Sequence, residues 1–277
     1  MPSYDENIAA LYDRLLRFEQ QAGDELTVHK RLRFPQAWQA NGIHDINDWL
    51  KQELPISAET HLLDAGCGVG GTLFALLAES GHGFGITLSG KQVDAARAAA
   101  CRLGIQDRIQ FAQQSYDAPL DQQFDVIVTI EALAHSADLV ASVRNLARML
   151  KPNGRLILVE EMFAGADQAE MSNLLQSAWG LAAVHRAEDY RAGLISADLH
   201  LITQHNFTPY VQARRWPTLL LKVGNCLLKW LPAKYHHLLK IYLGGLALET
   251  LYATGQMRYQ VWIADLEKGN TLLGEGR

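Results

Sequence analysis

A glycine-rich loop behind an aspartate is the first feature of the chain that can do chemistry. Asp64, Gly66 and Gly68 lie between an apolar run at 61–63 and a helical pattern at 72–80. Glycines at this spacing allow a tight turn and let a ligand approach the backbone, while the following helix offers unpaired N–H groups. Dinucleotide sites share this spacing, so the glycines alone leave the ligand open.

The carboxylate of Asp64 favours a cationic ligand over a dinucleotide. At the end of a strand, two residues before Gly66, it would repel a pyrophosphate, whereas it can accept hydrogen bonds from an ammonium group. S-adenosylmethionine carries such an ammonium in its methionine portion. We therefore expect S-adenosylmethionine as cofactor, bound by Asp64, Gly66 and Gly68, with S-adenosylhomocysteine as the product. A dinucleotide site, or a merely capping Asp64, is the alternative.

A second set of polar residues follows two other predicted strands. Glu131 comes directly after the apolar run at 126–130, at the sheet edge where open α/β sheets bind ligands. His135, four residues later, shares its side if the segment turns helically. A carboxylate and an imidazole in one cleft offer acid–base catalysis or stabilise developing positive charge. We predict Glu131 and His135 as catalytic, with Glu160 and Glu161 as further candidates; packing and capping roles are the alternatives.

Alternating strands and helices position these residues. The strands are predicted at 61–64, 83–88, 109–113, 125–130 and 155–160, with helices at 72–80, 89–103 and 137–150 between them. This order predicts a doubly wound, Rossmann-like α/β fold with a mostly parallel sheet. Further strands at 207–214 and 257–265 bring the sheet to seven, and residues 4–22 are predicted to form a helix.

These motifs resemble the class I S-adenosylmethionine-dependent methyltransferases. Asp-x-Gly-x-Gly after the first strand is similar to the main signature of that family. Gly-Ile-Thr-Leu-Ser-x-x-Gln at 85–92 resembles a segment shared by sterol C-methyltransferases, tocopherol methyltransferases and cyclopropane fatty-acid synthases. Glu-x-x-x-His at 131–135 and the Lys-Pro-Asn-Gly turn at 151–154 resemble motifs of the same groups. The resemblance covers residues 60–161.

The resemblance implies further cofactor contacts. Most class I enzymes hold the ribose with an acidic residue at the end of strand two, where this chain has Thr87. In the similar groups this threonine and a later glutamine contact the ribose and adenine, which implies these roles for Thr87 and Gln92. A Ser-x-x-Gln capping box is the alternative for Gln92. The loop after strand three adds Ser115 and Tyr116, unless it is a surface turn, and Ile130 completes the predicted cofactor set.

We expect a single methyltransferase domain over residues 1–277. Its parts are an N-terminal helical cover at 1–54, a cofactor-binding core at 55–161, acceptor-binding helices with a lid at 162–250, and the last strand and tail at 251–277. The resemblance favours methylation of a small lipophilic acceptor at carbon, such as an isoprenoid, prenyl or other natural-product substrate. O- or N-methylation and cyclopropane synthesis are the alternatives within this class of enzyme. A nucleotide-binding oxidoreductase and a catalytically inactive partner subunit are hypotheses from other functional classes.

The region from 217 to 250 is predicted to be helical, with breaks at Pro232 and Gly244-Gly245. At 219–231, polar residues occupy one helical face and apolar residues the rest. This pattern fits a lid over an apolar acceptor, which we expect, or an ordinary core helix, or a helix on a membrane surface. Arg214 and Arg215 can bind an anionic head group such as a diphosphate, or form a solvated basic face.

Composition limits the remaining classes of function. The chain has 25 Lys and Arg against 30 Asp and Glu, which argues against a dedicated nucleic-acid binder. Its three cysteines show neither a disulfide framework nor metal-ligand spacing, so we expect no metal. An acidic N-terminus and the lack of a long apolar run predict no signal peptide and no transmembrane helix. We therefore expect a cytoplasmic protein with at most weak membrane-surface contact and an unknown oligomeric state.

Overall fold

A seven-stranded sheet organises the computed structural model, which describes residues 3–22, 30–165, 169–227, 230 and 233–266. The strands are β1 His61–Ala65, β2 His82–Thr87, β3 Ile109–Gln113, β4 Phe124–Ile130, β5 Leu150–Phe163, β6 Leu199–Asn206 and β7 Met257–Leu266. Their order is β3-β2-β1-β4-β5-β7-β6. All neighbours are parallel except that β7 runs antiparallel to β5 and β6. The predicted Rossmann-like, mostly parallel sheet is confirmed.

Helices cover both faces of this sheet. They are α1 Tyr4–Ala22, α2 Gln36–Gln39, α3 Ile46–Glu53, α4 Gly71–Leu76, α5 Gly90–Leu103, α6 Leu139–Arg148, α7 Ala169–Trp179, α8 Ala187–Ser196, α9 Thr218–Leu227 and α10 Ala233–Ala253. Helix α5 shows how local sequence sets their ends. The side chain of Ser89 accepts a hydrogen bond from the backbone N–H of Gln92, and Gly104 ends the helix with a φ of 69°.

Strand β5 divides the core into two layers because successive side chains point to opposite faces. Leu156 and Leu158 pack in the layer that contains α6 and α8. Ile157 and Val159 pack in the larger layer with α3, α4, α5, α7 and α10. The same alternation sends the adjacent carboxylates of β5 to opposite sides of the sheet, which decides their roles in the site.

The predicted strand at 207–214 is wrong. The edge strand is β6, and Thr208–Tyr210 form a short 3₁₀ helix. Pro209 lacks the N–H that a strand ladder needs, whereas Phe207 is buried among aromatic rings. Strand β6 was not predicted because it contains several polar residues. An edge strand with one exposed face needs few apolar side chains.

The predicted break at Gly244-Gly245 is also wrong, since α10 continues through both glycines. A Cβ on Gly244 would overlap the side chain of Ala178 in α7. Gly244 therefore allows the two helices to pack closely, whereas Gly245 has open space at the position of a Cβ. Pro232, the other predicted break, lies outside the described residues, between the end of α9 and the start of α10. No helix among the described residues is long and apolar enough to cross a bilayer.

Candidate active site

A cavity of about 560 Å³ opens where β1, β2 and β4 end. It brings together ten of the twelve residues predicted for the site: Gly66, Gly68, Thr87, Gln92, Ser115, Tyr116, Ile130, Glu131, His135 and Glu161. Asp64 and Glu160 do not line it, although Gly66 and Cys67, which follow Asp64 in the loop, do. Helix α1 covers the cavity with Tyr4, Ile8, Tyr12 and Leu15. The carboxyl ends of parallel strands meet here, which explains why separate motifs converge.

The glycines of the loop have different reasons to be glycine. All of Gly66, Gly68 and Gly70 adopt positive φ, at 107°, 52° and 91°. A Cβ on Gly66 would come within 2.5 Å of the Ala132 side chain, so this glycine is needed by the protein's own packing. On Gly68 the nearest atom would be Nε2 of Gln92, at 3.8 Å. Gly68 is therefore the position where backbone is open to the cavity.

Asp64 is the penultimate residue of β1, and its carboxylate is buried, with only 2% of the residue exposed. Among the described residues, none donates a hydrogen bond to it. Burial raises the pKa of Asp64 to about 7. An unpaired carboxylate of this kind costs free energy unless a cation compensates it. The site therefore fits a ligand that brings a positive charge to the glycine loop.

Thr87 and Gln92 form a polar pair at the end of β2. The hydroxyl of Thr87 donates to the side-chain oxygen of Gln92 over 2.7 Å, and both residues line the cavity. The backbone N–H of Gln92 donates to Ser89 Oγ over 3.1 Å. Ser89 therefore caps α5 through the backbone of Gln92, while the side chain of Gln92 is held by Thr87 and lines the cavity rather than completing a capping box. The contact of Gln92 with a cofactor stays a prediction.

The loop after β3 is held against the segment that follows β4. The hydroxyl of Tyr116 donates a hydrogen bond to the carbonyl of Ala132 over 3.3 Å. The side-chain amide of Asn145 donates to the carbonyl of Tyr116 over 2.6 Å. Ser115 Oγ accepts from the N–H of Asp117. Burial raises the pKa of Tyr116, which therefore stays protonated. The segment forms a turn, in which the N–H of Ala118 donates to the carbonyl of Ser115 over 3.1 Å, and both Ser115 and Tyr116 line the cavity.

Glu131 is held in a strained and buried position at the end of β4. Its φ of 52° lies in the left-handed region, which is costly for a residue with a side chain. Oε1 accepts hydrogen bonds from the N–H of Lys30 and the hydroxyl of Tyr259, each over 2.8 Å. Burial, followed by the charge of Glu161, raises the pKa of Glu131 to about 7, although Lys30 opposes this shift. A carboxyl poised near neutrality suits acid–base work.

Glu161 and Lys30 form the second half of this carboxylate cluster. Lys30 Nζ lies 2.7 Å from Glu161 Oε1, which also accepts from the hydroxyl of Tyr252 over 2.9 Å. The ammonium stands 4.9 Å from the centre of the Tyr252 ring. Burial lowers the pKa of Lys30, but Glu161 and Glu131 outweigh it, so the net shift is upward and the lysine stays charged.

Sequence reasoning missed Lys30, Tyr252 and Tyr259. For Tyr259 a signal existed, because it lies in the predicted last strand and pairs directly with Glu161. No pattern pointed to Lys30 or Tyr252, which come from a loop and from the end of a long helix.

His135 lies across the cavity in the 3₁₀ helix Leu133–His135. Its Nε2 shares a hydrogen bond of 2.8 Å with the hydroxyl of Tyr12, and the two rings meet edge to face. Burial lowers the pKa of His135 to about 4, so the imidazole is neutral near pH 7. Among the described residues, none forms a hydrogen bond with its buried Nδ1. The ring can accept a proton or orient an acceptor.

Glu160 does not face the cavity, and its prediction as a catalytic candidate is wrong. Its Oε1 accepts from the hydroxyl of Thr129 and from the N–H groups of Ala132 and Leu133, over 3.0 to 3.3 Å. Burial raises its pKa to about 8, which keeps it neutral at pH 7. It braces the turn after β4 from behind because β5 sends neighbouring side chains to opposite faces.

A family model described as a methyltransferase domain matches residues 56–215, more than half of the chain. The chain belongs to this methyltransferase family. The predicted family, with its S-adenosylmethionine-dependent class of enzyme, is thereby confirmed.

Two curated relatives indicate the range of this family. The 27-O-demethylrifamycin SV methyltransferase of Amycolatopsis mediterranei is 30% identical over 60% of this chain and 64% of the relative. The 24-methylenesterol C-methyltransferase 2 of Oryza sativa is 32% identical over 43% of this chain and 34% of the relative. The match spans less than two thirds of either relative.

A solved structure shares the whole architecture of the methyltransferase. Geranyl diphosphate C-methyltransferase from Streptomyces coelicolor A3(2), in complex with Mg²⁺, geranyl-S-thiolodiphosphate and S-adenosyl-L-homocysteine, aligns with a TM-score of 0.72. The alignment covers 96% of this chain and 98% of the other at 19% identity, which supports the fold.

The outer wall of the methyltransferase cavity is apolar and comes from α1, α7 and α10. Leu175 and Trp179 of α7, Leu181, and Leu248 of α10 line it. None of the described residues of α9 does, so the lid predicted at 219–231 is not placed over this cavity. Arg214 and Arg215 are exposed and do not line it either. Within the described residues, no group of three His, Cys, Asp or Glu side chains is arranged to hold a metal.

Thr87→Val tests the polar pair at the end of β2. The substitution keeps the shape of the side chain but removes the hydroxyl that donates to Gln92 and faces the cavity. We expect S-adenosylhomocysteine to bind the methyltransferase about fivefold more weakly, which corresponds to ~1 kcal/mol for one hydrogen bond. Titration calorimetry measures this, and unaltered affinity would show that the ribose is held elsewhere.

Proposed function

We propose that this methyltransferase transfers a methyl group from S-adenosylmethionine to a carbon atom of a small lipophilic acceptor. The observation that carries the proposal is the composition of one cavity. It is lined by the residues of the cofactor motifs, by a carboxylate cluster, and by apolar side chains from α1, α7 and α10. An apolar wall with carboxylates beside it suits an apolar molecule that develops positive charge.

The residues present fit S-adenosylmethionine. Asp64 offers an uncompensated carboxylate to the ammonium of the methionine portion, Gly68 leaves the backbone open, and Thr87 with Gln92 offers a polar pair to the ribose and adenine. When bound, the sulfonium supplies an electrophilic methyl group. The protein's part in the transfer is mainly alignment, since a sulfide leaves without needing a proton.

Glu131 is the residue that we assign to proton removal. A carbon–carbon double bond that accepts a methyl group becomes a carbocation and must lose a proton. Tyr259 and the backbone of Lys30 donate to the same oxygen, Oε1, which holds the carboxylate in one orientation. Its pKa of about 7 leaves it partly ionised at neutral pH and therefore able to stabilise the cation and take the proton.

O-methylation is the second candidate. It is favoured by the neutral imidazole of His135, which lines the cavity and can form a hydrogen bond that orients a hydroxyl acceptor. The named relatives act at oxygen and at carbon, so they support either atom. Incubating the pure protein with S-adenosylmethionine and lipophilic extracts, followed by NMR of any product 14 Da heavier, separates the two. A methyl group on oxygen would overturn the carbon assignment.

Gly68→Ala tests the cofactor site independently of the acceptor. Gly66→Val is less suitable, because its side chain would overlap Ala132 and strain the loop itself. At Gly68 a methyl group enters the cavity beside Gln92, while the left-handed backbone costs only ~1–2 kcal/mol of stability.

S-adenosylhomocysteine should raise the melting temperature of the wild type, because it binds the folded state. We expect Gly68→Ala to lose most of this rise. Gly104→Ala is a matched control, since Gly104 also has a positive φ but lies at the far end of α5 with open space around its Cβ. An equal ligand-induced rise in wild type and Gly68→Ala would reject the assignment of the loop.

A further inference from the structure

One long segment of the chain lacks acidic residues. Between Asp198 and Glu249 there is no Asp or Glu, so all 30 acidic residues of the chain lie outside this segment. The same segment contains six basic residues: Arg214, Arg215, Lys222, Lys229, Lys234 and Lys240. In a chain with a net charge of -5, this concentrates positive charge on the part that contains α9 and most of α10.

The segment also exposes large apolar side chains. Five of the nine large hydrophobic residues that are exposed in the described structure lie between 219 and 242: Leu219, Leu220, Val223, Trp230 and Tyr242. Trp230 is 86% exposed and Leu219 is 72% exposed. At 100° per residue, the three members on α9 fall within one arc of the helix. Leu221, on the opposite side, is fully buried. Helix α9 therefore turns an apolar face to solvent.

We propose that α9 and Trp230 dock the protein on an anionic lipid surface. Exposed leucines, a valine and a tryptophan can enter the region between head groups and acyl chains, while the lysines and arginines of the same segment are attracted to anionic lipids. A second copy of the chain is a poorer occupant, because a symmetric contact through this face would bring like charges together. Nucleic acid is also a poorer occupant, because phosphates offer nothing to the apolar side chains.

Helix α7 connects this surface with the proposed site. Met171 and Leu174 of α7 line an outer cleft of about 550 Å³ together with Leu221 of α9. Leu175 and Trp179, on the neighbouring side of α7, line the active-site cavity. Helix α7 therefore lies between α9, which carries the apolar face on its outer side, and the acceptor chamber. Transfer of a membrane-dissolved acceptor from this surface to the chamber would depend on the proposed function, whereas lipid docking does not.

Vesicle binding tests the docking. We expect the protein to sediment with phosphatidylcholine vesicles that contain phosphatidylglycerol, to bind pure phosphatidylcholine far less, and to be released by salt. Brominated lipids should quench Trp230, whose indole is the most exposed large apolar side chain. Trp230→Phe should remove most of the quenching and keep most of the binding.

The double variant Leu219→Gln/Val223→Gln should bind anionic vesicles at least roughly tenfold more weakly than the wild type. Ile195→Gln is the matched control, because Ile195 is 75% exposed but lies on α8. Both variants should keep the S-adenosylhomocysteine thermal shift, which separates lost docking from a lost active site. Absence of vesicle binding in the wild type, equal loss in the control, or a dimer that the double variant abolishes would each overturn the proposal.

Discussion

Glu131→Gln should lower turnover by ~100-fold or more, within the range for loss of an acid–base group. The amide keeps the size of the side chain, and its oxygen can still accept from Tyr259 and from the N–H of Lys30. What disappears is the negative charge that stabilises a cation and the basicity that removes its proton. Steady-state assays with a saturating donor measure the change in kcat.

The pH profile gives a second signature of the same change. Glu131 must be ionised to act as a base, so kcat of the wild type should rise with pH and level off above a pKa of about 7. In Glu131→Gln this rise should vanish. Cofactor affinity should change little, and altered methylated products are expected where the cation loses its proton to another group.

Glu160→Gln is the control for this experiment. Glu160 is neutral at pH 7 and faces away from the cavity, so the exchange of carboxyl for amide should leave turnover nearly unchanged. His135→Asn should give a smaller loss than Glu131→Gln if the imidazole only orients groups. Near-normal turnover of Glu131→Gln with an unchanged product would contradict the assignment; Glu161 would then be the next base to test.

Asp64→Asn should weaken binding of S-adenosylhomocysteine by about 10- to 150-fold, because a hydrogen bond to a charged group contributes ~1.5–3 kcal/mol. The effect should also depend on pH. In the proposed site the ammonium of the ligand binds the ionised carboxylate, and burial raises the pKa of Asp64 in the free protein to about 7. Affinity of the wild type should therefore be constant above this pH and fall below it, by up to about tenfold per pH unit.

In Asp64→Asn this decrease should be absent, whereas Thr87→Val should retain it. Isothermal titration between pH 5 and 8 measures both.

Thermal stability supplies the check on folding. Because burial raises the pKa of Asp64, the stability it contributes is complete at low pH and is lost as the pH rises through 7. The ligand-free Asn variant should thus melt at a higher temperature than the wild type at pH 8. A lower melting temperature together with unchanged pH dependence would argue against an uncompensated carboxylate.

The core of the sheet could be predicted from sequence because buried parallel strands have continuous apolar runs. The strand at 109–113 was predicted with the bounds of β3, and the strand at 257–265 was one residue short of β7. The motifs attached to these strands were therefore placed at the correct edge. Strand β6 escaped prediction because a polar edge strand has no such run.

The carboxylate cluster shows where prediction from sequence ends. Glu131 and Glu161 follow predicted strands, so their position at the cavity could be foreseen. Lys30 and Tyr252 reach the same cluster from a loop and from α10, through long-range packing that no local spacing encodes. The apolar stripe of α9 was read as covering an acceptor, because sequence shows that a helix is amphipathic without showing which side meets solvent.

The antiparallel ladder between β5 and β7 has a consequence for how this enzyme can diverge. Nine residue pairs fix the register, with Glu160 opposite Gln260 and Glu161 opposite Tyr259. If β5 slipped by one residue in the sheet, Glu160, which braces the turn, and Glu161, which lines the cavity, would exchange sides. The strands therefore tolerate almost no insertion here. The walls from α1, α7 and α10 contact the site through side chains, which include the hydrogen bonds of Tyr12 and Tyr252, and not through a strand ladder. Acceptor range can therefore drift through substitutions in these helices while the frame that aligns the reaction is inherited intact.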